Sequence, residues 1–391
     1  MSEKTLPLKG LRVLDMSQGV AGPHCGALFA EYGAEVLKIE PPSGDWMRIL
    51  GAGYDGLSGS FIYYNRGKKS LCLDLKSEGA IDIVLKLAAA SDVVIDNNRP
   101  GVSDRLGIGF EALKKANPKV ILVAVSGFGL TGPDAKRPLS DTIAQALSGF
   151  MSINTGRAGV PAKVDMTLID CLTGLYGFQA ATMALWGDPA KRQAQCLDIS
   201  LVQCAAAIQG AKVLEYSVSG KIPDKINAPA GSYKASDGWL AMTLVRETCW
   251  QRICKALDRD DLANDPRFAT FNDRARNADE LTGIIDAIIA TRTVADWVER
   301  LLANQVLAGP INDYGDWMAS PQTQAIEGAA EINVTPDIKA PVVHTPGHGH
   351  HTDLAPRLGE HSRDILHLAG AGNEAIETML ASGAVISHNA A

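Results

Sequence analysis

Short apolar runs that alternate with helical stretches are the feature that most constrains the fold of this chain. An apolar run at residues 11–16 is followed by a helical stretch up to residue 32 and by a strand-like segment at 34–40. The same order continues with strands at 70–75, 93–96 and 120–125 and a helix at 78–90. This alternation predicts an α/β fold with a doubly wound parallel sheet, whose ligands bind outside the carboxyl ends of the strands.

The pattern changes after about residue 218, which indicates a second domain. At 391 residues the chain is longer than one hydrophobic core usually serves. Residues 219–225 have the composition of a linker, and Asp237-Gly238 joins two strand-like runs as a hairpin turn would. Amphipathic helices are predicted near 249–257, 281–290 and 294–302. We therefore expect a large domain of residues 1–218, completed by 328–391, and a small α+β domain of residues 226–327.

Charge and composition exclude several classes of partner. The net charge of -7 is spread along the chain, without a Lys/Arg-rich block, so a nucleic-acid partner is not expected. No apolar stretch without charges is long enough to predict a membrane span. The first residues lack the pattern of a secretory signal, and the seven cysteines never occur in a CxxC spacing. These features favour a protein of the reducing cytoplasm.

Asp170 is the candidate reactive group, because it lies between Ile169 and Leu172 at the start of a long apolar helix predicted from Thr167 to Trp186. Desolvation of an unpaired carboxylate is costly, so such a side chain should be hydrogen-bonded, paired or reactive. The spacing from Thr167 to Asp170 matches a capping box, which is the structural alternative. The functional alternative is a carboxylate held ready for nucleophilic acyl chemistry. The two interpretations are compatible with each other.

The segments around this helix also allow predictions of packing and secondary structure. Gly174 and Gly177 mark places where another backbone could pack closely against it. A strand is predicted at 196–199 and a single helix over 201–217, while the chain beyond Glu327 reads as polar up to a final helix at 375–381.

Three other motifs are weighed and set aside. Residues 127–132 match GxGxxG, but a loop follows and no acidic residue closes a second strand, so we expect a tight loop near a ligand and no dinucleotide site. Four histidines, His344, His348, His350 and His351, lie among Gly and Pro without a regular face, so a solvated loop is expected and no metal. The GxxxxGK[ST] and GxSxG motifs are absent, which disfavours nucleotide-driven ligation and serine esterase chemistry.

Taken in order, several segments resemble the family III coenzyme A transferases (the CaiB/BaiF family), which include formyl-CoA transferase, carnitine CoA transferase and α-methylacyl-CoA racemase. Each segment is a weak signal alone, and their order over nearly the whole chain is specific. The matching segments are residues 11–15, 21–23, 36–41, 44–48, 65–70, 97–101, 127–133, the Asp170 segment, 237–238 and 356–361.

The resemblance implies that Asp170 is a nucleophile in a CoA transfer between an acyl-CoA and a free carboxylic acid. The carboxylate would form an aspartyl anhydride and then an aspartyl-CoA thioester, so that no metal, nucleotide or prosthetic group is needed. It also implies an interlocked homodimer and a CoA site along the large domain. The residues expected around CoA are Gly19, Val20, Ala21, Leu73, Lys76, Asn97, Asn98, Arg99, Arg105 and Leu106.

Some positions depart from the family pattern. Pro41 stands where some members carry a basic residue, Asp165 stands where a Gly is usual, and Ala194 replaces another Gly. The racemases use a His where this chain has Ser140, and a hydroxyl cannot act as a general base near neutral pH. Transfer is therefore favoured over α-proton exchange on a 2-methylacyl-CoA, which stays as the alternative beside a non-catalytic acyl-CoA-binding protein.

Overall fold

The computed structural model describes residues 6–156, 159–222, 228–346 and 354–388. Its strands are β1 (Arg12–Asp15), β2 (Glu35–Glu40), β3 (Gly53–Tyr54), β4 (Leu57–Ser58), β5 (Lys68–Leu73), β6 (Val93–Asp96), β7 (Ile121–Ser126), β8 (Gln195–Ser200), β9 (Ala230–Lys234), β10 (Trp239–Thr243), β11 (Leu307–Pro310), β12 (Ala330–Asn333), β13 (Lys339–Val342) and β14 (Val385–Ile386).

The α-helices of the described chain are α1 (Ala21–Glu31), α2 (Gly59–Asn65), α3 (Ala80–Ala89), α4 (Val102–Leu106), α5 (Phe110–Ala116), α6 (Asp141–Leu147), α7 (Phe150–Ile153), α8 (Leu168–Leu185), α9 (Leu201–Ile208), α10 (Gly210–Ser219), α11 (Cys249–Ala256), α12 (Asp260–Ala263), α13 (Phe271–Arg276), α14 (Ala278–Ile289), α15 (Val294–Ala303), α16 (Tyr314–Ala319), α17 (Pro321–Ala325), α18 (Ser362–Leu368) and α19 (Asn373–Ala381).

The chain divides into two compact units. The larger unit contains residues 1–214 and 328–391, and the smaller contains 215–327. The larger unit is built on a seven-stranded sheet of order β14-β5-β2-β1-β6-β7-β8, in which only β14 is antiparallel to its neighbour. The expected α/β fold with a mainly parallel sheet is thereby confirmed.

Both faces of this sheet are covered, because successive strand residues point to opposite sides. On one face Val13, Val93 and Val123 pack with apolar residues of α1, α8 and α9. On the other, Leu14 and Val94 pack with residues of α3, α18 and α19. The strand order reverses between β1 and β6, so a crevice forms outside the carboxyl ends of these two strands.

Helix α8 is apolar and long enough to cross a membrane by composition alone, with a mean hydropathy of 1.2. In the structure it packs against α1, and its Ile169 and Ala181 belong to the core beneath the sheet. Gly174 explains how close the two helices come, because a Cβ there would lie 2.7 Å from the Ala21 carbonyl oxygen. It is therefore a partly buried core helix of the larger unit.

The smaller unit contains an antiparallel sheet of order β11-β10-β9, in which Trp239 pairs with Lys234 across the turn at Asp237-Gly238. Its helices form a core of their own around Tyr233 and Trp297.

Several predicted elements need correction. Strand β5 begins at Lys68, two residues before the prediction, because Lys68 is buried in an ion pair with Asp15. The single helix expected over 201–217 is two helices, since Gln209 leaves the helical conformation and its amide donates to the Ala205 carbonyl.

The segment after Glu327 also holds more structure than expected. Strands β12 and β13 form a hairpin whose Ile332, Ala340 and Val342 are buried, and β14 pairs with β5 at the sheet edge. The linker residues 223–225 and the histidines at 348, 350 and 351 lie outside the described residues.

Candidate active site

A cleft of about 330 Å³ lies at the point where the strand order reverses. Its walls come from the segments that follow β1, β2, β6 and β7 and from the first residues of α8 and α9. Residues of this wall that bear on its chemistry are Gln18, Val20, Ala21, Trp46, Asn97, Asn98, Arg99, Arg137, Ser140, Asp141 and Asp170. The sheet topology thus brings Asp170 together with five of the residues expected around CoA.

Asp170 lies in the first turn of α8 and is partly buried. Among the described residues none donates a hydrogen bond to its side-chain oxygens. Burial first, and the negative charge of Asp141 second, raise the pKa of Asp170 to about 7. The site therefore holds a carboxyl group that is about half ionised near neutral pH and open to a ligand in the cleft.

The expected capping box at the start of α8 is wrong. Thr167 is the N-cap residue, but its side chain makes no capping hydrogen bond, and its hydroxyl lies near the Cys171 sulfur instead. Asp141 from α6 takes this role, because its Oδ2 accepts hydrogen bonds from the backbone N–H groups of Ile169 (2.6 Å) and Asp170 (3.1 Å). The Asp170 side chain is consequently free of any structural duty at the helix terminus.

Helix α1 holds α8 from the other side. His24 Nδ1 lies 3.0 Å from the Cys171 carbonyl oxygen. Burial lowers the pKa of His24 to about 4, so the ring is neutral near pH 7 and donates its Nδ1 proton to that carbonyl. The Tyr64 hydroxyl lies 3.1 Å from the Cys171 sulfur. The residue next to Asp170 is thus held by two helices.

A buried ionic network shapes the segment after β1. Lys38 Nζ donates to the Ser17 carbonyl oxygen (2.8 Å) and to Asp45 (2.9 Å), while Asp45 accepts from the Gly19 N–H (3.1 Å). Burial alone would lower the pKa of Lys38, but the charges of Asp15 and Asp45 keep this pKa above its usual value. Gly19 has φ +84°, and a Cβ there would lie 2.6 Å from the Trp46 ring, so only glycine fits.

The segment after β6 is tied to the segment after β1 by Asn97. Its Oδ1 accepts from the Gln18 N–H (3.0 Å) and its Nδ2 donates to the Gln18 carbonyl (2.7 Å). Asn98 donates from Nδ2 to the Ser103 hydroxyl at 3.2 Å, whereas the Arg99 side chain is exposed. Asn97 therefore ties two walls of the cleft together, and Arg99 is one of the exposed cations that line it.

The other expected residues lie farther from the cleft. Leu73 is fully buried in the sheet core, so only its backbone is available to a ligand. Leu106 packs against the same core. Lys76 and Arg105 are exposed. Lys76 follows β5, which is two strands from β1 at the carboxyl edge of the sheet.

Sequence reasoning missed four residues of the cleft wall: Gln18, Trp46, Arg137 and Asp141. Gln18 precedes a glycine after a strand and could have been found by that position. Arg137 lies in the loop that follows the GxGxxG match, where its guanidinium stacks 5.5 Å from the Phe128 ring. Asp141 was seen only as the neighbour of Ser140, because a cap supplied from a distant helix has no local spacing signal.

No group of three or more His, Cys, Asp or Glu side chains able to hold a metal ion is found within the described ranges.

Comparisons with known proteins give a consistent result. The family model for CoA-transferase family III matches residues 8–362. A succinate–glutarate CoA-transferase from Agrobacterium fabrum is 32% identical over 94% of this chain and 96% of its own length. An acetyl-CoA:oxalate CoA-transferase from Acetobacter aceti is 34% identical over 82% of this chain and 84% of its own.

The fold has a close counterpart among solved structures. A CAIB/BAIF family protein from Brucella suis matches with a TM-score of 0.82 at 30% identity, covering 94% of this chain and 100% of that one. Sequence and fold thus agree over nearly the same stretch of the chain.

Proposed function

Since this chain belongs to CoA-transferase family III, and is an enzyme that transfers CoA between acyl-CoA and carboxylic acids, we propose that Asp170 carries the acyl group during the reaction. The observation that supports this role most is its side chain, partly buried in the cleft without a hydrogen-bonding partner among the described residues. A structural carboxylate in that setting would be paired.

The first half of the reaction loads CoA onto the enzyme. A carboxylate oxygen of Asp170 attacks the thioester carbonyl of the donor, the carbon–sulfur bond breaks, and an aspartyl anhydride and CoA thiolate form. The thiolate then attacks the aspartyl carbonyl of the anhydride. The donor leaves as a free carboxylate, and Asp170 is now an aspartyl-CoA thioester.

The second half reverses these steps with the acceptor. The acceptor carboxylate attacks the aspartyl carbonyl and releases the thiolate, which then attacks the acyl carbonyl of the new anhydride. The products are a new acyl-CoA and the original Asp170 carboxylate. One thioester is exchanged for another, so the reaction needs no external energy source.

The amino end of α1 is the candidate for stabilising the oxyanions. Val20 and Ala21 line the cleft there, and backbone N–H groups at the start of a helix lack intrahelical acceptors. The apolar neighbours of Asp170 on α8 would limit hydrolysis of the anhydride.

CoA is proposed to lie along the larger unit, with its thiol at Asp170. Arg99 and Arg137 line the cleft, and the exposed Lys76 and Arg105 belong to the same unit. Arginine and lysine are suited to phosphate oxygens, so these cations are the candidates for the phosphates of CoA.

Small dicarboxylic acids are the proposed acyl groups. The relatives that support this are named for succinate and glutarate and for oxalate. A screen of acyl-CoA donors against free acids, read by mass spectrometry, would identify the pair; transfer only to monocarboxylic acids would contradict it.

Transfer is preferred to α-proton exchange because Ser140 lines the cleft at the position where a racemase needs a second base. Uptake of deuterium from solvent at the α-carbon of a 2-methylacyl-CoA would instead support exchange.

We also propose an interlocked homodimer in the cytoplasm. Apolar side chains of α8, α9 and α10 are exposed in the single chain, which supports a partner on these helices. The seven cysteines are free thiols, which supports a reducing compartment.

Trapping tests the role of Asp170. Hydroxylamine added during turnover should convert Asp170 to its hydroxamate, found by peptide mass spectrometry, and Asp170→Asn should abolish both label and transfer. Asp165→Asn is the matched control, because Asp165 is five residues away and its side chain is 91% exposed. An active enzyme that is never labelled at Asp170 would refute the role.

A further inference from the structure

Asp141 is a buried carboxylate with an unusual set of partners. Only 6% of the residue is exposed. Its Oδ2 accepts from the N–H groups of Ile169 and Asp170, and its Oδ1 accepts from Gln145 Nε2 at 2.6 Å. All three donors are neutral, and within the described ranges no ion pair to Asp141 is found, so its negative charge is solvated by dipoles.

Gln145 extends this arrangement to the segment before α8. Its Oε1 accepts from the Val164 N–H at 2.9 Å, and its Nε2 also faces the carbonyl oxygens of Val164 (3.3 Å) and Met166 (3.4 Å). Gln145 is fully buried. One pair of side chains on α6 thus holds both the chain entering α8 and the first turn that carries Asp170.

We propose that Asp141 is a positioning residue for the transfer reaction: it fixes the first turn of α8, so that the Asp170 carboxylate projects into the cleft, and its charge faces that carboxylate. This inference rests on the proposed role of Asp170 as the nucleophile. A misplacement of about 1 Å at a nucleophile can cost roughly a hundredfold in rate, so the anchor matters to chemistry as well as to folding.

The charge of Asp141 has a second effect, on ionisation. Burial is the larger cause of the raised pKa of Asp170, and the negative charge of Asp141 is the second cause. The other titratable groups around this turn are the neutral His24 on α1, Tyr64 on α2, Cys171 on α8, and Arg99 and Arg137 in the cleft wall. A higher pKa makes Asp170 a stronger nucleophile once ionised and reduces its ionised fraction below neutral pH.

Two variants separate position from charge. Asp141→Asn keeps the size of the side chain but removes the charge, and it sets the new NH₂ group against the Nε2 group of Gln145. Asp141→Glu keeps the charge and moves the oxygens.

The measurement is the single-turnover rate of adduct formation at Asp170 between pH 5.5 and 8.5. We expect Asp141→Asn to be roughly tenfold to a hundredfold slower than the wild type at pH 8. The ratio of the variant's rate to the wild-type rate should rise as the pH falls, because removal of the Asp141 charge lowers the pH at which Asp170 is half ionised. A merely structural defect would lower the rate by one factor at every pH.

A second variant and a control complete the test. Asp141→Glu should lose rate and keep the midpoint of the wild type. Asp82→Asn is the control, because Asp82 is an exposed acid in the first turn of α3. Its rate and midpoint should match the wild type.

The outcomes are distinguishable. An Asp141→Asn enzyme with an unchanged rate, or with the same loss at every pH, would overturn this inference. If that variant does not fold, as judged by circular dichroism, a wild-type rate in Asp141→Glu would overturn it equally. If the wild type transfers CoA without any adduct at Asp170, the proposed nucleophile fails instead.

Discussion

Asp170 is placed where its charge costs stability, and this has a measurable consequence. Its pKa of about 7 in the folded protein lies above the ordinary value of 3.8. A raised carboxyl pKa contributes stability that is complete below pH 3.8 and is lost as the pH rises toward 7. Asp170→Asn should therefore raise the free energy of unfolding by roughly 1–3 kcal/mol at pH 8, and by less at pH 5.

Thermal or denaturant unfolding at the two pH values checks this prediction. Asp165→Asn serves as control because its carboxylate is exposed and paired with Lys163. If Asp170→Asn raised the free energy of unfolding equally at pH 5 and pH 8, that result would contradict a pKa of about 7 for Asp170.

At this scale the sequence singled out the candidate nucleophile but not the groups that hold it in place. Asp170 stood out because a lone acid at the start of an apolar helix needs a reason. The spacing from Thr167 suggested a local cap, yet the cap is Asp141, 29 positions away. Such a contact depends on how α6 and α8 pack, and no short spacing encodes it.

The contact between α1 and α8 sets a prediction at the scale of elements. Gly174→Ala would place a Cβ 2.7 Å from the Ala21 carbonyl oxygen and 2.8 Å from the His24 Cβ. Helix α8 must then move away, so we expect a loss of about 1–3 kcal/mol in unfolding free energy and a slower adduct formation at Asp170.

Gly283→Ala in α14 is the matched control for that substitution. Nothing lies within 4 Å of a Cβ at Gly283, which is an exposed helix position. This variant should gain about 0.5–1 kcal/mol, because alanine favours helix. Equal effects at both glycines would show that close packing at Gly174 is unimportant.

Asn97 leads to a second prediction, about the two segments that border the cleft. Asn97→Ala leaves the N–H and carbonyl groups of Gln18 without their partners, which costs about 1–3 kcal/mol. Because the cleft wall loosens, the KM for acyl-CoA should rise more than kcat falls.

Asn117→Ala is the control for this prediction. Asn117 also makes two bonds to backbone, to Ser91 (2.8 Å) and from Lys119 (2.9 Å), but it does not line the cleft. It should lose similar stability and keep its KM. A KM that is unchanged in Asn97→Ala would place Asn97 outside ligand binding.

Helices and strands could be predicted from the sequence where their apolar side chains recur at the spacing of a helix or a strand. The parallel strands contain short apolar runs and α8 is a long one, and these elements were expected within a few residues. Strand β14 has two residues and forms only because the end of the chain returns to β5. The break at Gln209 and Gly210 was missed, since the apolar pattern continues across it and a single glycine does not always interrupt a helix.

At the scale of the molecule, the order of family segments could be recognised because most of them lie in or beside strands and helices of the larger unit. The crevice between β1 and β6 follows from strand order alone, as expected for this class of sheet. The identity of the acyl group was not readable, because residues such as Trp46 and Arg137 reach the cleft from loops. Their positions depend on tertiary contacts.

The exposed apolar side chains of α8 to α10 lead to the last prediction. Met183 on α8 is 63% exposed, and on α10 Leu214 is 66% and Val218 is 84% exposed. If two chains interlock through these helices, the protein should sediment with the mass of two chains even at nanomolar concentration, since separation would require unfolding. Denaturant should remove the dimer and the circular dichroism signal together.

A surface substitution tests which helices are involved. Val218→Asp should reduce the yield of dimer, because it places a charge in an apolar contact. Tyr314→Asp on α16 is the control, since Tyr314 is 83% exposed but lies outside these helices. A folded monomer that forms on simple dilution would exclude interlocking, whereas equal assembly of both variants would place the partner on another surface.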